Sequence, residues 1–167
     1  TNNLEGYNMQ TDVWIILDSC AFLTQKHPEG KLVTIPEIKK ELINKQSIQY
    51  HSNLKEHNLE IIEPNKASEK WIKNKAGRTG DLDVLSSVDK KILALAYELK
   101  GIIVSDDFAI QNVALYMEID FVSCSGKEIK ELRKWIYKCS ACNHIEDNKH
   151  NECRICGSTD IFRIKSK

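Results

Sequence analysis

Residues 86–107, SSVDKKILALAYELKGIIVSDD, decide the fold. Val88, Ile92, Leu95, Ala96 and Leu99 recur at helical spacing, Ser86 and Asp89 stand three apart as a capping box requires, and Gly101 supplies a stop. The next residues, IIVS at 102–105, form a short continuous apolar run that suits a strand buried on both faces. That strand ends in Asp106-Asp107. A helix handed directly to a doubly buried strand is the pattern of a βαβ chain.

Working outward, VWIIL at 13–17 is a second run of the same kind, ended by Asp18. Residues 33–43, VTIPEIKKELI, read as a helix with Thr34 as N-cap, Pro36 in the first turn, Glu37 as capping-box partner, and Ile35, Ile38 and Leu42 on one apolar face. LEII at 59–62 predicts a strand and 67–76 a polar helix anchored by Trp71 and Ile72, with RTGDLD at 78–83 as a loop. Residues 108–117 continue as a helix and 119–122 as a strand. Strand and helix alternate, so the expected fold class is α/β, a three-layer α/β/α unit with a mainly parallel sheet, at 9–125. Residues 1–8 are unpatterned and read as a tag or scar before Met9. A basic helix at 126–136 is expected to lead into a cysteine module at 137–167.

The 167 residues are 41% hydrophobic, enough for one core and a small appendage. Lys and Arg number 24, as do Asp and Glu, so bulk charge argues against a general polyanion binder. The halves differ, with residues 1–124 at −4 and 125–167 at +4, so only the C-terminal part leans toward nucleic acid. Neither a secretion signal nor an apolar run long enough to span a bilayer is present, which predicts a reducing cytoplasmic setting and no membrane partner.

In an open parallel sheet ligands gather at the carboxyl ends of the strands, where Asp18, Asp106 and Asp107 stand here. Asp89, in the first turn of its helix, and Glu41 are further candidates. Carboxylates gathered together repel unless a cation lies among them, and Mg2+ or Mn2+ suits such oxygen ligands. Each residue also has a plainer role: Asp18 an Asx-turn, Asp89, Asp106 or Asp107 a helix cap, Glu41 a solvated charge.

Cys139-Ser-Ala-Cys142 and Cys153-Arg-Ile-Cys156, ten residues apart, predict two knuckles closing on one structural Zn2+. Iron or a dithiol pair is the competing use of such spacing. Gly157 permits the tight turn of the second knuckle. His144 and His150 are expected at the surface, and Cys20 and Cys124 as small buried hydrophobes. Lys127, Lys130, Arg133, Lys134, Arg154 and Arg163 are candidate RNA contacts, against a reading of the module as a zinc-stapled unit with a solvated basic face.

LDSCAF at 17–22, IPEIKKEL at 35–42, LSSVDKKILALAYEL at 85–99 and VSDDFAIQNVA at 104–114 resemble the PIN-domain nucleases. The trailing four-cysteine ribbon narrows the resemblance to the archaeal Nob-type endonucleases of ribosome maturation. That resemblance implies a PIN fold with a zinc ribbon, catalytic Mn2+ or Mg2+, and no small-molecule cofactor. It also implies cleavage of precursor small-subunit ribosomal RNA at its mature 3′ end, on the pre-small subunit and beside assembly-factor proteins. Asp18, Glu41, Asp89 and Asp107 match the family's acidic positions, with Asp18, Asp89 and Asp107 as metal ligands. Ser105 fills the hydroxyl position of the S/T-x-D motif and Asp106 its variable place. The stretch between Asp18 and Thr34 is short for this family. Competing readings are a toxin-type PIN ribonuclease acting on transfer or messenger RNA, which normally lacks the ribbon, and a zinc-ribbon RNA-binding scaffold without catalysis. An aspartyl-phosphate phosphatase would need a second Asp where Cys20 stands.

Overall fold

The structure, a computed structural model, describes residues 12–167; the expectations for residues 1–8 and Met9 lie outside them. Five parallel strands make the main sheet: β1 (Trp14–Leu17), β2 (Lys31–Thr34), β3 (Leu59–Ile61), β4 (Ile102–Val104) and β5 (Phe121–Val122), in the order β3-β2-β1-β4-β5. The order runs outward one way from β1 to β3, then returns to β4 on the other side of β1. Right-handed crossovers therefore put the first connections on one face and the later ones on the other. The helices divide accordingly: α1 (Ser19–Thr24) packs on α2 (Lys45–His57), while α3 (Lys66–Thr79), α4 (Ser87–Leu99) and α5 (Phe108–Tyr116) pack on one another. The predicted α/β class with a parallel sheet is what the chain adopts.

β1 and β4 are apolar throughout because both their faces are covered: Ile15, Ile16, Leu17, Ile103 and Val104 are at most 1% exposed. They pair directly, with Leu17 opposite Val104, so the next residues along each strand, Asp18 and Ser105, emerge side by side. β1 and β4 flank the point where strand order reverses, where open α/β sheets place their ligand crevice.

Several local expectations change. Residues 31–34 form β2, and Thr34, read as an N-cap, instead donates its hydroxyl to the Leu17 carbonyl at 2.7 Å inside the core. The predicted α-helix after it is a 3₁₀ helix, Pro36–Glu41, with no side-chain cap, and Glu37 pairs with Lys91 of α4 rather than closing a capping box. Lys91 also pairs with Glu63, so one ammonium ties the 3₁₀ helix, the end of β3 and α4 together. Helices α1 and α2 were not anticipated. Gly101 does follow a helix, but Lys100 takes the left-handed cap conformation, and glycine is needed because a Cβ at 101 would lie 2.6 Å from the Trp14 carbonyl oxygen.

The expected basic helix at 126–136 does not form; residues 123–134 run without regular structure. Two buried amides of α5 claim their backbone groups. Gln111 donates to the Lys127 carbonyl at 3.2 Å and accepts from Ile129 N–H at 3.0 Å. Asn112 accepts from Arg133 N–H at 2.7 Å and donates to the Arg133 carbonyl at 2.6 Å. With those groups taken, the segment lies extended across α5.

A second sheet, order β7-β6-β8, is antiparallel and consists of β6 (Trp135–Cys139), β7 (Ile145–Glu146) and β8 (Ile161–Lys165). It docks through Asp81, fully buried, which accepts from Thr79 Oγ1 at 2.6 Å and Asn112 Nδ2 at 2.7 Å and forms an ion pair with Arg163 of β8. Gly80 caps α3 with φ +78° and presses on β6, since a Cβ there would stand 2.3 Å from the Trp135 carbonyl oxygen.

Candidate active site

Asp18 sits at the carboxyl end of β1 and is 6% exposed. One carboxylate oxygen accepts from Ser19 N–H at 2.8 Å, making Asp18 the N-cap of α1, and the other accepts from Ser105 Oγ at 2.6 Å. Burial outweighs these donors and pushes its pKa up to about 6, with Asp89 and Glu41 adding repulsion. Ser105 Oγ is also the acceptor for Asp107 N–H at 3.1 Å, so one hydroxyl spans the two strand ends.

Asp107 caps α5 through Oδ1, which accepts from Ala109 N–H at 2.8 Å and Ile110 N–H at 3.4 Å. Asp89 closes the predicted capping box: Ser86 N–H donates to Asp89 Oδ2 at 2.8 Å, and Asp89 N–H donates to Ser86 Oγ at 3.1 Å. Burial raises the Asp89 carboxyl, and Asp107 adds to the rise. Glu41 ends the 3₁₀ helix; burial raises it too, a hydrogen bond from Ser19 opposes that, and Asp89 and Asp107 repel it. Four elements thus bring Asp18, Glu41, Asp89 and Asp107 within electrostatic reach of one another.

Asp106 does not join them. Its Oδ1 accepts from Cys124 N–H at 2.7 Å and Ser125 N–H at 3.1 Å, on the far side of the motif. Cys20 and Cys124, expected as separate buried hydrophobes, are half-buried with their sulfurs 3.1 Å apart. Among the described residues, two groups of metal-type ligand atoms lie mutually within 4.8 Å: the four ribbon cysteines, and Cys20 with Asp106 and Cys124. The four acidic side chains stand more loosely, as uncompensated like charges do.

In the ribbon, Cys139 and Cys156 sulfurs are 3.6 Å apart and Cys142 and Cys153 sulfurs 3.5 Å. A tetrahedral Zn2+ with sulfurs at about 2.3 Å has edges of about 3.8 Å, so the four fit that ion. The backbone supports the charge: Cys139, helped by the Cys142 N–H, is held down at about 6. His144 and His150 lie outside this tetrahedron and bind the two Glu146 oxygens at 3.0 and 2.6 Å.

Of the basic candidates, Lys127, Lys130, Lys134 and Arg154 are exposed. Arg163 is not free for RNA: it is held by Asp81 and stacked on Trp135, 4.2 Å from the ring centre. Arg133 lies 5.6 Å from the ring of Phe108, an exposed aromatic directly after Asp107. Sequence reading passed over Phe108; an apolar ring at the first position of a capped helix was the available signal.

A family model described as the PIN domain of ribonuclease matches residues 15–99. Endoribonuclease Nob1 of Pyrococcus abyssi is 35% identical over 147 residues, covering 86% of this chain and 89% of that protein. The chain belongs to the PIN-domain endoribonucleases of the Nob1 family. The 20S-pre-rRNA D-site endonuclease NOB1 of Saccharomyces cerevisiae is 32% identical over 133 residues, spanning 71% of this chain and 29% of that much longer protein. Ribonuclease VapC1 of Thermoplasma acidophilum is 35% identical over 115 residues, 69% of this chain and 59% of its own length. The PIN match begins within β1 and ends with α4, so it contains Asp18, Glu41 and Asp89, and Ser105 and Asp107 follow it.

Proposed function

We propose that this PIN-domain endoribonuclease is Mn2+- or Mg2+-dependent and cuts precursor small-subunit ribosomal RNA at its mature 3′ end, on the cytoplasmic pre-small subunit. The observation that carries the reading is Asp18: a carboxylate buried at the switch point of a parallel sheet, destabilised as an anion, and surrounded by Glu41, Asp89 and Asp107. Such a group favours a cation over water as its partner. All the donors are hard oxygens, which fits Mn2+ or Mg2+ rather than a thiophilic ion. Asp18, Asp89 and Asp107 would hold it, with Glu41 at its edge. The bound ion supplies a more acidic water and neutralises charge on the phosphodiester.

The chain's own part is placement. Ser105 fixes the Asp18 rotamer with one hydrogen bond and the Asp107 backbone with another. The lysine bridge of Glu37, Lys91 and Glu63 sets the 3₁₀ helix, and with it Glu41, against α4. Phe108 and Arg133 offer a stacking face and a cation next to Asp107, suited to an unpaired base and its phosphate. Residues 12–125 would form the nuclease domain, 126–134 a connector and 135–167 a zinc ribbon, the connector extending the RNA path through Lys127, Lys130 and Lys134 and the ribbon through Arg154.

The ribosomal substrate rests on what the similar proteins are named for and on the ribbon carried beside the nuclease fold. The test is cleavage of a single-stranded RNA spanning the precursor 3′ end by zinc-loaded protein, with and without added Mn2+, beside Asp18→Asn and Asp107→Asn. One site-specific cut that needs Mn2+ and is lost in both variants is the expected result. Binding of that RNA by wild type with no cut under any metal condition favours the scaffold reading.

A further inference from the structure

Six cysteines divide four and two: the ribbon uses four, and Cys20 and Cys124 are left together. Cys20 lies in the first turn of α1, two residues after Asp18, and Cys124 lies two residues past β5. Their sulfurs, 104 positions apart in the chain, are 3.1 Å apart. That is closer than either ribbon pair, at 3.5 and 3.6 Å. It is also too close for two thiolates on one tetrahedral ion, whose edge is about 3.8 Å. A disulfide needs about 2.0 Å, which leaves roughly 1 Å of side-chain rotation.

The backbone carrying Cys124 is fixed. Asp106 Oδ1 accepts from Cys124 N–H at 2.7 Å, from Ser125 N–H at 3.1 Å and from Ser125 Oγ at 3.3 Å. Cys20 is fixed by α1 and points its sulfur toward the Val104 carbonyl oxygen at 3.8 Å. Both residues are half-buried rather than sealed in the core.

We propose that Cys20 and Cys124 form an oxidative modification site, closing to a disulfide when the chain meets a peroxide. One sulfur attacks the peroxide oxygen, its S–H proton leaves with the departing oxygen as water, and a sulfenic acid forms. The second sulfur attacks the first, expelling the sulfenic oxygen as a second water and forming the S–S bond. Two thiols lose two electrons and two protons, and one hydrogen peroxide becomes two waters. The ribbon cysteines, with zinc bound, are withheld from this reaction. The bond ties α1 to the end of β5, so it closes a loop containing nearly all of the parallel-sheet domain. Asp106 acts here as a positioning residue for Cys124.

The test uses the full zinc-loaded chain, treated with stoichiometric hydrogen peroxide, alkylated with iodoacetamide without reductant and mapped by mass spectrometry. The expected product is one linked peptide pair containing residues 20 and 124, about 2 Da lighter than the two reduced peptides together. Zinc stays at one per chain, and the melting midpoint rises by about 5 °C or more and returns on reduction. Cys124→Ser gives neither linked peptide nor rise; should it fold poorly, the wild-type map alone decides. Both cysteines alkylated after ribbon thiols have oxidised, or stalled as separate sulfinic acids, would overturn the proposal. So would a second zinc per chain in wild type that Cys124→Ser loses, which would make the pair a metal site.

Discussion

Asp18→Asn is expected to make the nuclease domain more stable while removing its proposed activity. The Asp18 carboxyl rises from 3.8 to about 6, so holding it ionised at neutral pH costs the fold about 3 kcal/mol. Asparagine keeps the Ser19 cap through its carbonyl oxygen but turns a donor toward Ser105 Oγ, leaving that hydroxyl without its acceptor at a cost of about 1 kcal/mol. The net gain is about 1–2 kcal/mol at pH 7.5, or roughly 3–6 °C in melting midpoint. The sign follows from the direction of the shift. A folded pKa above the unfolded one means the native state takes up its proton first as pH falls. The penalty is therefore full above pH 6, shrinks as pH falls through about 6, and is gone below about 3.8. Wild type should close the gap on the variant by about 2 kcal/mol between pH 7.5 and 4.5. Urea denaturation of both proteins, zinc-loaded and without added Mn2+ or Mg2+, measures this as a double difference in which zinc loss and other titrating groups cancel. Added Mn2+ should then stabilise wild type more than the variant. A variant no more stable than wild type at pH 7.5, or a gap that stays constant with pH, would refute the account of Asp18 as a strained anion.

Ser105→Ala removes a donor that lowers the Asp18 carboxyl, so the acid limb of the cleavage pH profile should move upward; an unmoved limb means Ser105 does not act through Asp18. Arg163→Ala leaves the buried Asp81 carboxylate without its cation and should cost about 3 kcal/mol in denaturant unfolding, while Arg154→Ala, on an exposed side chain, costs almost nothing. Stripping zinc should unfold the ribbon, whose buried residues are limited to Tyr137, Cys139 and Cys153, and leave the parallel sheet folded; hydrogen exchange should show β6 and β8 losing protection while β1 and β4 keep theirs. Phe108→Ala should weaken binding of single-stranded RNA by about 1–2 kcal/mol, read by fluorescence anisotropy, and change duplex binding little.

The doubly buried strands and α4 were legible because their signals are local and one-sided. Runs such as 13–17 and 102–105 admit few other structures, and the Ser86–Asp89 box formed as read. What sequence concealed depended on partners far along the chain. The polar helix α2 buries only Ser47 and His51 fully, so it has hardly any apolar stripe to detect. Thr34 read as a cap because its true acceptor, the Leu17 carbonyl, lies on another strand. The segment 127–134 has a helical composition, yet the amides of Gln111 and Asn112 take its backbone groups first. Arg163 looked like a free cation because Asp81 is 82 positions away. The acidic positions were picked out by resemblance and by strand ends, and pattern alone could not have separated Asp106 from Asp107.

That separation bears on a choice that sequence reading framed as exclusive, cap or ligand. Asp18 and Asp107 are N-caps and Asp89 lies in the first turn of its helix, and each uses its carboxylate on that helix's N-terminal amides or on the cap residue's own N–H. A carboxylate has two oxygens. Asp107 spends Oδ1 on Ala109 and Ile110, and Asp89 spends Oδ2 on Ser86, leaving one oxygen on each without a hydrogen bond among the described residues. Asp18 spends its second oxygen on a hydroxyl that can rotate. In the proposed site, capping would serve ligation: the engaged oxygen fixes the rotamer, and a metal ligand held by the backbone loses little entropy on binding. Asp106 fails the same test, because its Oδ1 anchors the Cys124 loop and it caps no helix. An Asp107→Asn substitution that retained the cap through its carbonyl oxygen but offered an amide to the cation should thus keep α5 folded, measured by circular dichroism, and lose Mn2+ affinity by tenfold or more, measured by calorimetry. If α5 frays in that variant before Mn2+ binding weakens, the two roles compete and the carboxylate is a cap alone.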